Sequence, residues 1–221
     1  MNDENALSSL SAARVVAAVF GVLGGLGGLT HGVGEVLQGS VRPDGLFINS
    51  WTQGPIATNM GGEPGLTIVP NMLVTGILTI VFSLTIIVWS VAFVQRQNGG
   101  LILILFFIAL LLVGGGVGPI VIGVLAGVAG LGIDAPYPRW RARLSDGLRR
   151  VLARLWPWFF GLALINTLFL VFGSLVLVYG FDFNNPDLFV GVFFLSAILL
   201  IPTIITGVAY DIQRGEGGVA A

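Results

Sequence analysis

Apolar residues occur along this chain in long runs, separated by short stretches rich in glycine, proline and charged side chains. A helix that crosses the hydrocarbon core of a bilayer needs about 20 consecutive apolar residues, at a rise of about 1.5 Å per residue. The runs reach or exceed that length. The pattern therefore predicts membrane-embedded helical segments at about residues 12–37, 68–95, 101–133, 157–180 and 188–212.

The third run permits two arrangements. A dense aliphatic stretch at 101–113 is followed by Gly114-Gly-Gly-Val-Gly-Pro119 before apolar residues resume at 120–133. It could form one long helix kinked at Pro119, or two half-helices that make a re-entrant hairpin. Neither half alone has the length that spanning requires. We favour the single crossing, which gives five full spans.

Composition sets the class of protein more firmly than any motif. Hydrophobic residues make up 55% of the 221 residues and charged residues only 10%, against about 25% charged in a typical soluble domain. Such a chain lacks the polar surface that a water-soluble fold needs. We expect an all-α polytopic transmembrane helix bundle, formed as a single integral membrane domain over residues 1–221.

Arginines concentrate in one stretch. Residues 134–156 hold six of the ten basic residues, and leucines recur between them at helical spacing. This pattern predicts an amphipathic helix lying on the membrane interface at about 139–155. We expect its arginines to bind anionic headgroups, at about 1 kcal/mol each. A docking surface for a membrane-protein partner is the second interpretation. The arginines concerned are Arg139, Arg141, Arg143, Arg149, Arg150 and Arg154.

The same arginines predict the orientation. Loops rich in arginine stay in the cytoplasm, so we expect a multi-pass protein of the cell membrane with 134–156 and the C-terminus inside. A re-entrant third segment would place nine of the ten arginines inside, and a single crossing would place eight there. That difference does not choose between the two. The net charge of −1 and the lack of a basic run argue against a nucleic-acid partner.

Glycines in the first and third segments repeat at four-residue spacing. Small residues at this spacing allow helices to approach closely in a membrane. We expect these two segments to pack against each other within one chain, in preference to homodimerisation. Unwound carbonyls at 114–118 could alternatively hold an ion. The glycines concerned are Gly21, Gly24, Gly25, Gly28, Gly32, Gly114, Gly118, Gly123 and Gly127.

The candidate chemistry lies in the first segment. His31 is the only histidine, and Glu35 follows one helical turn later, so the two share a helix face. Near the helix end the pair could simply be hydrated or paired. Deeper in the membrane it could handle protons or ions, because ionisable groups there usually serve a function.

A metal site would need further ligands, and cysteine is absent. The remaining choices are carboxylates such as Glu63, Asp182 and Asp187, which share a side of the membrane only if the third segment is re-entrant. HxxxE also lacks the second histidine of the zinc-protease motif. We assign no metal, cofactor or catalytic residue from the sequence.

Three strings carry a resemblance: His31-Gly-Val-Gly-Glu-Val-Leu-Gln-Gly39, Pro70-Asn-Met-Leu-Val-Thr-Gly76 and Val113-Gly-Gly-Gly116. They resemble a group of uncharacterised prokaryotic multi-pass membrane proteins over roughly the first 130 residues. That resemblance implies no activity. The leading interpretation is a structural or interaction subunit of a membrane assembly. The alternatives are a small transporter or proton-coupled carrier using His31 and Glu35, and then an intramembrane metal-dependent hydrolase.

Overall fold

The third apolar run folds back on itself in the computed structural model, which describes residues 11–217. Its two helices, α4 (Gly99–Leu112) and α5 (Val117–Gly130), lie antiparallel, with Gly127 against Ile104 and Gly123 against the Phe107 ring. Our preference for a single crossing is therefore wrong. The glycines of α5 let the two helices meet without Cβ atoms between them, so a reversal of the chain is well packed.

The reversal itself depends on glycine conformations. Gly114 and Gly116 have φ values of 124° and 80°, which L side chains rarely adopt. A kinked helix would have kept both residues near the α region. Consecutive glycines allow the chain to leave that region at little energetic cost, and the sequence alone does not say whether it does.

The remaining elements follow in chain order, and short strands and helices stand between the long apolar helices. They are α1 (Ala12–Gln38), β1 (Phe47–Asn49), α2 (Gly54–Asn59), β2 (Pro64–Leu66), α3 (Met72–Ala92), α6 (Pro138–Arg143), α7 (Asp146–Leu168), a π-helical turn (Phe169–Gly173), α8 (Ser174–Phe181) and α9 (Pro186–Gly217).

Four of these helices are long and apolar enough to cross a membrane. They are α1, α3, the continuous helix Asp146–Phe181 formed by α7, the π-helical turn and α8, and α9 to Gly215. Each half of the hairpin has only 14 residues. The fold is thus an all-α helix bundle of the kind that membrane proteins form, with four candidate spans and one hairpin of two shorter apolar helices.

The predicted interfacial helix at 139–155 is divided in the structure. The helix α6 ends at Arg143, and Ser145 then caps α7, its side chain accepting a hydrogen bond from Leu148 N at 3.4 Å. From there α7 continues through Pro157 without a break. The predicted start of the fourth segment at Pro157 is therefore wrong. A capping serine gives α7 an earlier start, and a membrane helix tolerates an internal proline when its neighbours satisfy the freed backbone groups.

The helix α1 lies at the centre and packs most extensively on α3. Gly25 lies over Ser83 and Ile87, and Gly32 over Gly76 and Ile80. The glycines were expected to face the 114–127 region, which a different edge of α1 contacts through Gly24 beside Phe107 and Pro119. Glycines occur on several sides of α1, so it packs closely against more than one neighbour.

A second helix pair, formed by α7 and α9, flanks this central group. The Asn166 side chain donates to Val192 O at 3.1 Å and to Ser196 Oγ at 2.7 Å, which joins α7 to α9. Phe20 of α1 meets Phe160 of α7 edge to face, with ring centroids 5.9 Å apart. The contact of α7 and α9 with α1 and α5 is much less extensive than the contact of α7 with α9.

Two faces of the bundle follow from these contacts. Asp211 of α9 accepts hydrogen bonds from Ala12 N (2.6 Å) and Ala13 N (3.0 Å), so the start of α1 and the end of α9 share one face. Gly100 and Gly130 meet at the base of the hairpin on that side. We call it the arginine face, because nine of the ten arginines lie toward it and only Arg42 lies toward the other.

The opposite face is covered by residues 39–71, which connect α1 to α3. Within them β1 and β2 pair antiparallel, with Ile48 opposite Gly65. The chain then docks on the hairpin tip, since Ile68 N donates to Leu112 O at 2.9 Å. We call residues 39–71 the cover segment. Its contact with the tip brings polar side chains of the cover over the end of α1.

Candidate functional site

The His31 and Glu35 side chains lie inside the bundle. His31 is 5% exposed and Glu35 is fully buried. The sequence left open that both are simply hydrated or paired near the helix end. Their burial beneath the cover segment argues against free hydration and is compatible with pairing inside the fold. An ionisable pair that is buried this deeply needs internal hydrogen-bond partners.

Ser50 of the cover segment joins the two residues. Its Oγ lies 2.9 Å from His31 Nδ1 and donates to Glu35 Oε1, also at 2.9 Å. The other carboxylate oxygen, Glu35 Oε2, accepts from Thr79 Oγ1 of α3 at 3.0 Å. Ser50 and Thr79 are themselves fully buried. His31 and Glu35 are thus linked through a hydroxyl rather than paired directly.

The chain of contacts continues on the far side of the imidazole. His31 Nε2 lies 3.6 Å from Glu63 Oε2, and Thr30 Oγ1 lies 3.3 Å from the same oxygen. The Glu63 side chain is 17% exposed, whereas that of His31 is 7% exposed. We call Glu63, His31, Ser50 and Glu35 the relay, since each side chain contacts the next in that order.

The protonation of Glu35 sets the direction of the contacts around Ser50. A serine hydroxyl has a single proton, and when Glu35 is ionised Ser50 donates that proton to it. In that arrangement His31 Nδ1 donates to Ser50 Oγ. His31 Nε2 then faces Glu63, with which a protonated imidazole forms an ion pair.

The hairpin tip forms one wall of the relay. Gly114 presents its α-carbon to the Glu35 carboxylate, and Gly116 presents its own to the His31 imidazole. Thr79 Oγ1 also lies 2.8 Å from Val113 O, which ties α3 to the tip at the same point. Any side chain at Gly114 or Gly116 would occupy the space that the two ionisable groups use.

A cavity of about 180 Å³ adjoins the exposed end of the relay. Its polar end is formed by Thr30, His31 and Glu63, and its body runs between α1, α5, the π-helical turn and α9. Ser50 and Glu35 do not line it. The cavity thus reaches Glu63 and His31 but not the buried half of the relay. Its apolar lining includes Ile122, Leu170, Val171, Phe189 and Phe193.

The residues proposed for a metal site are only partly brought together. Glu63 reaches His31, but Asp182 accepts a hydrogen bond from Asn59 Nδ2 at 2.8 Å, and Asp187 lies in the first turn of α9. Within residues 11–217 no group of three histidine, aspartate or glutamate side chains is arranged to hold a metal ion. The ligand set that the metal interpretation needs is therefore not assembled in the described part of the chain.

The predicted headgroup-binding arginines lie at the arginine face. Arg139, Arg141, Arg143, Arg150 and Arg154 are exposed. Arg149 is buried and forms an ion pair with Asp146 of the same helix turn. Five of the six predicted side chains are thus exposed at the surface, Arg141 among them while also donating to Pro136 O at 3.2 Å, and the sixth is paired within the fold.

A second polar cluster lies at the same face, around Asp211. The Tyr137 hydroxyl donates to Gly132 O at 2.7 Å. Burial raises the pKa of Tyr137 to about 12, and the nearby Asp211 carboxylate adds to the shift. Asp211 is occupied in capping α1, so this cluster joins the two termini of the bundle rather than forming a site.

Sequence reasoning missed Ser50, Thr79 and Thr30, and it considered Glu63 only as a metal ligand. Ser50 and Glu63 lie in a polar segment without periodicity, where nothing marks one side chain as buried. One usable signal is the length of the cover segment, because long ordered loops in compact folds often carry function.

Comparison of the chain with known protein families, with characterised proteins and with solved structures gave no match. Function must therefore be argued from the site itself.

Proposed function

We propose that this protein is a proton-coupled carrier of the cell membrane. The observation that carries the proposal is the relay, a continuous series of contacts from a partly exposed carboxylate to a buried one. Ionisable residues inside a membrane bundle are energetically unfavourable, and they are characteristic of proton pathways in pumps and transporters.

The chemical groups of the relay suit proton transfer. A carboxyl group and an imidazole can each take up and release a proton, and a hydroxyl can accept one proton while donating another. A proton entering at Glu63 can pass to His31 and reach Glu35 through Ser50. After one transfer the His31 ring carries its proton on Nε2 instead of Nδ1, and the Ser50 hydroxyl proton points toward His31. The ring and the hydroxyl must therefore return to their first arrangement before the next proton passes.

Two features of the fold suit a carrier: a broken helix pair at the polar site, and two helix groups with limited contact between them. Broken helices whose ends meet at a polar site are a recurrent feature of transporters, and here α4 and α5 end beside His31 and Glu35. The cavity lies between the central group of helices and the α7–α9 pair. Limited contact between these two groups supports relative motion that would open the cavity to alternate sides.

A hydrolase fits the geometry less well. Ser50 is fully buried and lies between His31 and Glu35, whereas a nucleophilic serine must reach its substrate and donate to its base. The cavity does not extend to Ser50 Oγ. The same burial argues against acyl transfer at this site.

For orientation, we propose that the arginine face lies in the cytoplasm, in line with the positive-inside rule. The five exposed arginines of 139–154 would then meet the anionic headgroups of the inner leaflet. The cover segment and Glu63 would face the outside, so protons would enter the relay from that side.

The test is proton flux in vesicles that contain the purified protein and a pH-sensitive dye. We expect an imposed pH gradient to drive flux that Glu35→Gln and His31→Asn reduce at least roughly tenfold, because each removes one step of the relay. The matched control is Asp44→Asn, which removes an exposed carboxylate of the cover segment. Flux that is equal in all variants, or that is absent in the wild type even when small organic ions are supplied inside the vesicles as counter-substrates, would favour a purely structural subunit.

A further inference from the structure

We propose that the cavity beside Glu63 binds a small amphipathic amine, as its ammonium ion, and that this amine exchanges with the proton of the relay. The inference rests on the proposed carrier function and names the class of its substrate. Size, charge and the shape of the wall each support it independently.

The size of the cavity suits one ring with a short polar arm. A dry apolar cavity of about 150 Å³ accommodates benzene. The present cavity measures about 180 Å³ and extends along α1 from Leu23 to His31. That distance is eight residues of helix, or about 12 Å. A ring would lie at the apolar end, and its arm would reach toward Glu63.

Charge selects a cation for that arm. Glu63 presents a partly exposed carboxylate to the cavity, beside the hydroxyl of Thr30. Among the described residues that line the cavity there is no arginine. The one lining side chain that can become positive is His31, and Glu63 already faces it at 3.6 Å. An anionic ligand would therefore meet a carboxylate without an unpaired positive charge. An ammonium group would form a charge-assisted hydrogen bond with Glu63, which is among the stronger polar contacts in proteins.

The wall opposite α1 is aromatic. Phe189 and Phe193 of α9 line the cavity, and the faces of aromatic rings attract cations. Leu170 and Val171 of the π-helical turn complete this wall, and such turns inside α-helices are frequent at functional sites. Ser174 Oγ donates to Leu170 O at 2.6 Å, which stabilises the widened turn.

Exchange follows from the position of Glu63 in the relay. One carboxylate cannot hold a proton and pair with an ammonium ion at the same time. When the amine binds, a proton held on the Glu63 carboxyl group must leave, and when a proton returns to it the amine is released. The charge of the site is the same in both states, so the chemistry describes exchange of one ammonium ion for one proton.

The test is equilibrium binding of benzylammonium to the full-length protein in lipid nanodiscs, measured by calorimetry. We expect benzylammonium to bind at least roughly tenfold more tightly than neutral benzyl alcohol, and benzoate not to bind. Glu63→Gln should abolish the preference for the cation while keeping a hydrogen bond to Thr30.

A second variant is independent of the relay. A Cβ atom added at Gly118 would meet only Phe193, at 3.9 Å, and both residues line the cavity, so the side chain of Gly118→Leu starts without a clash and occupies cavity space. It should weaken benzylammonium binding at least roughly tenfold. Asp182→Asn, which changes a carboxylate outside the cavity, is the control and should bind as the wild type does.

Equal binding of benzyl alcohol and benzylammonium would overturn the proposal, as would unchanged binding in Gly118→Leu. A lipid chain found in the cavity by native mass spectrometry, and not displaced by benzylammonium, would overturn it too. These measurements need no proton gradient. Proton flux is measured separately, with benzylammonium inside the vesicles, because exchange requires the amine. Binding without flux under that condition would remove the carrier function and leave the amine site, whereas flux without binding would remove only the amine site.

Discussion

The His31 imidazole lies directly against the α-carbon of Gly116, where a Cβ atom would overlap the ring. Gly116 belongs to the hairpin tip and His31 to the central helix, so the position of the ring depends on a turn 85 residues away in the sequence. The Gly116 φ of 80° places the α-carbon at this point. The hairpin therefore shapes the relay as well as filling the bundle.

Gly116→Ala should disturb both the fold and the relay. An alanine at this φ is strained by about 1–3 kcal/mol, and its methyl group would displace the imidazole from Ser50. We expect a lower midpoint of thermal unfolding in detergent and a proton flux reduced to that of His31→Asn. Gly118→Ala is the control, since its Cβ has room. Wild-type flux in Gly116→Ala would show that the ring position is unimportant.

Two buried serines should respond differently to the loss of their hydroxyl groups. Ser50→Ala leaves His31 and Glu35 without their shared partner, and such a loss costs about 1–3 kcal/mol of stability. Ser83 Oγ is also buried, but within residues 11–217 it has no hydrogen-bond partner. Ser83→Ala should therefore be neutral or slightly stabilising. Thermal unfolding of both variants, measured in the same detergent, checks the contrast. Equal losses would mean that Ser50 acts only by filling space.

The sequence predicts the His31 and Glu35 part of the site but not the residues of the cover segment that complete it. Spacing places His31 and Glu35 on one helix face, and composition predicts a membrane bundle. The burial of the pair depends on the cover segment, whose polar residues show no periodicity that would mark Ser50 or Glu63 as internal. Burial of a loop side chain is set by tertiary contact with the hairpin tip, which no local pattern encodes.

The hairpin shows a second limit of prediction from the sequence. Glycine at 114–116 is compatible with a kink and with a reversal. What distinguishes them is the close fit of Gly123 and Gly127 on Phe107 and Ile104, a contact between distant positions. The spacing of Gly123 and Gly127 indicated close helix packing, but it did not identify α4 as the helix that these two glycines contact.

Alanine should have opposite effects on stability at two helix glycines, one packed between α1 and α3 and one in open space. A Cβ at Gly76 would lie 2.6 Å from both Gly32 O and Val36 N, so Gly76→Ala forces two backbones apart. Overpacking of this kind costs about 1–3 kcal/mol. Gly161 in α7 has open space instead. Gly161→Ala should stabilise its helix by up to about 1 kcal/mol, because alanine favours helix over glycine. Unfolding midpoints shifted in opposite directions would support this packing, and a tolerated Gly76→Ala would contradict it.

The absence of cysteine allows a direct test of the hairpin. Gln97→Cys and Gly147→Cys introduce single exposed thiols before and after the hairpin, and Asp44→Cys introduces one in the cover segment. If the third segment is re-entrant, a membrane-impermeant maleimide should label positions 97 and 147 from the same side, and position 44 from the other.

With the arginine face in the cytoplasm, intact cells should show labelling only at position 44, and the other two positions should react after permeabilisation. A single crossing would instead separate positions 97 and 147, because an odd number of membrane passages would lie between them. Labelling of position 97 but not 147 in intact cells would therefore disprove the hairpin, whereas labelling of both without position 44 would keep the hairpin and reverse the orientation.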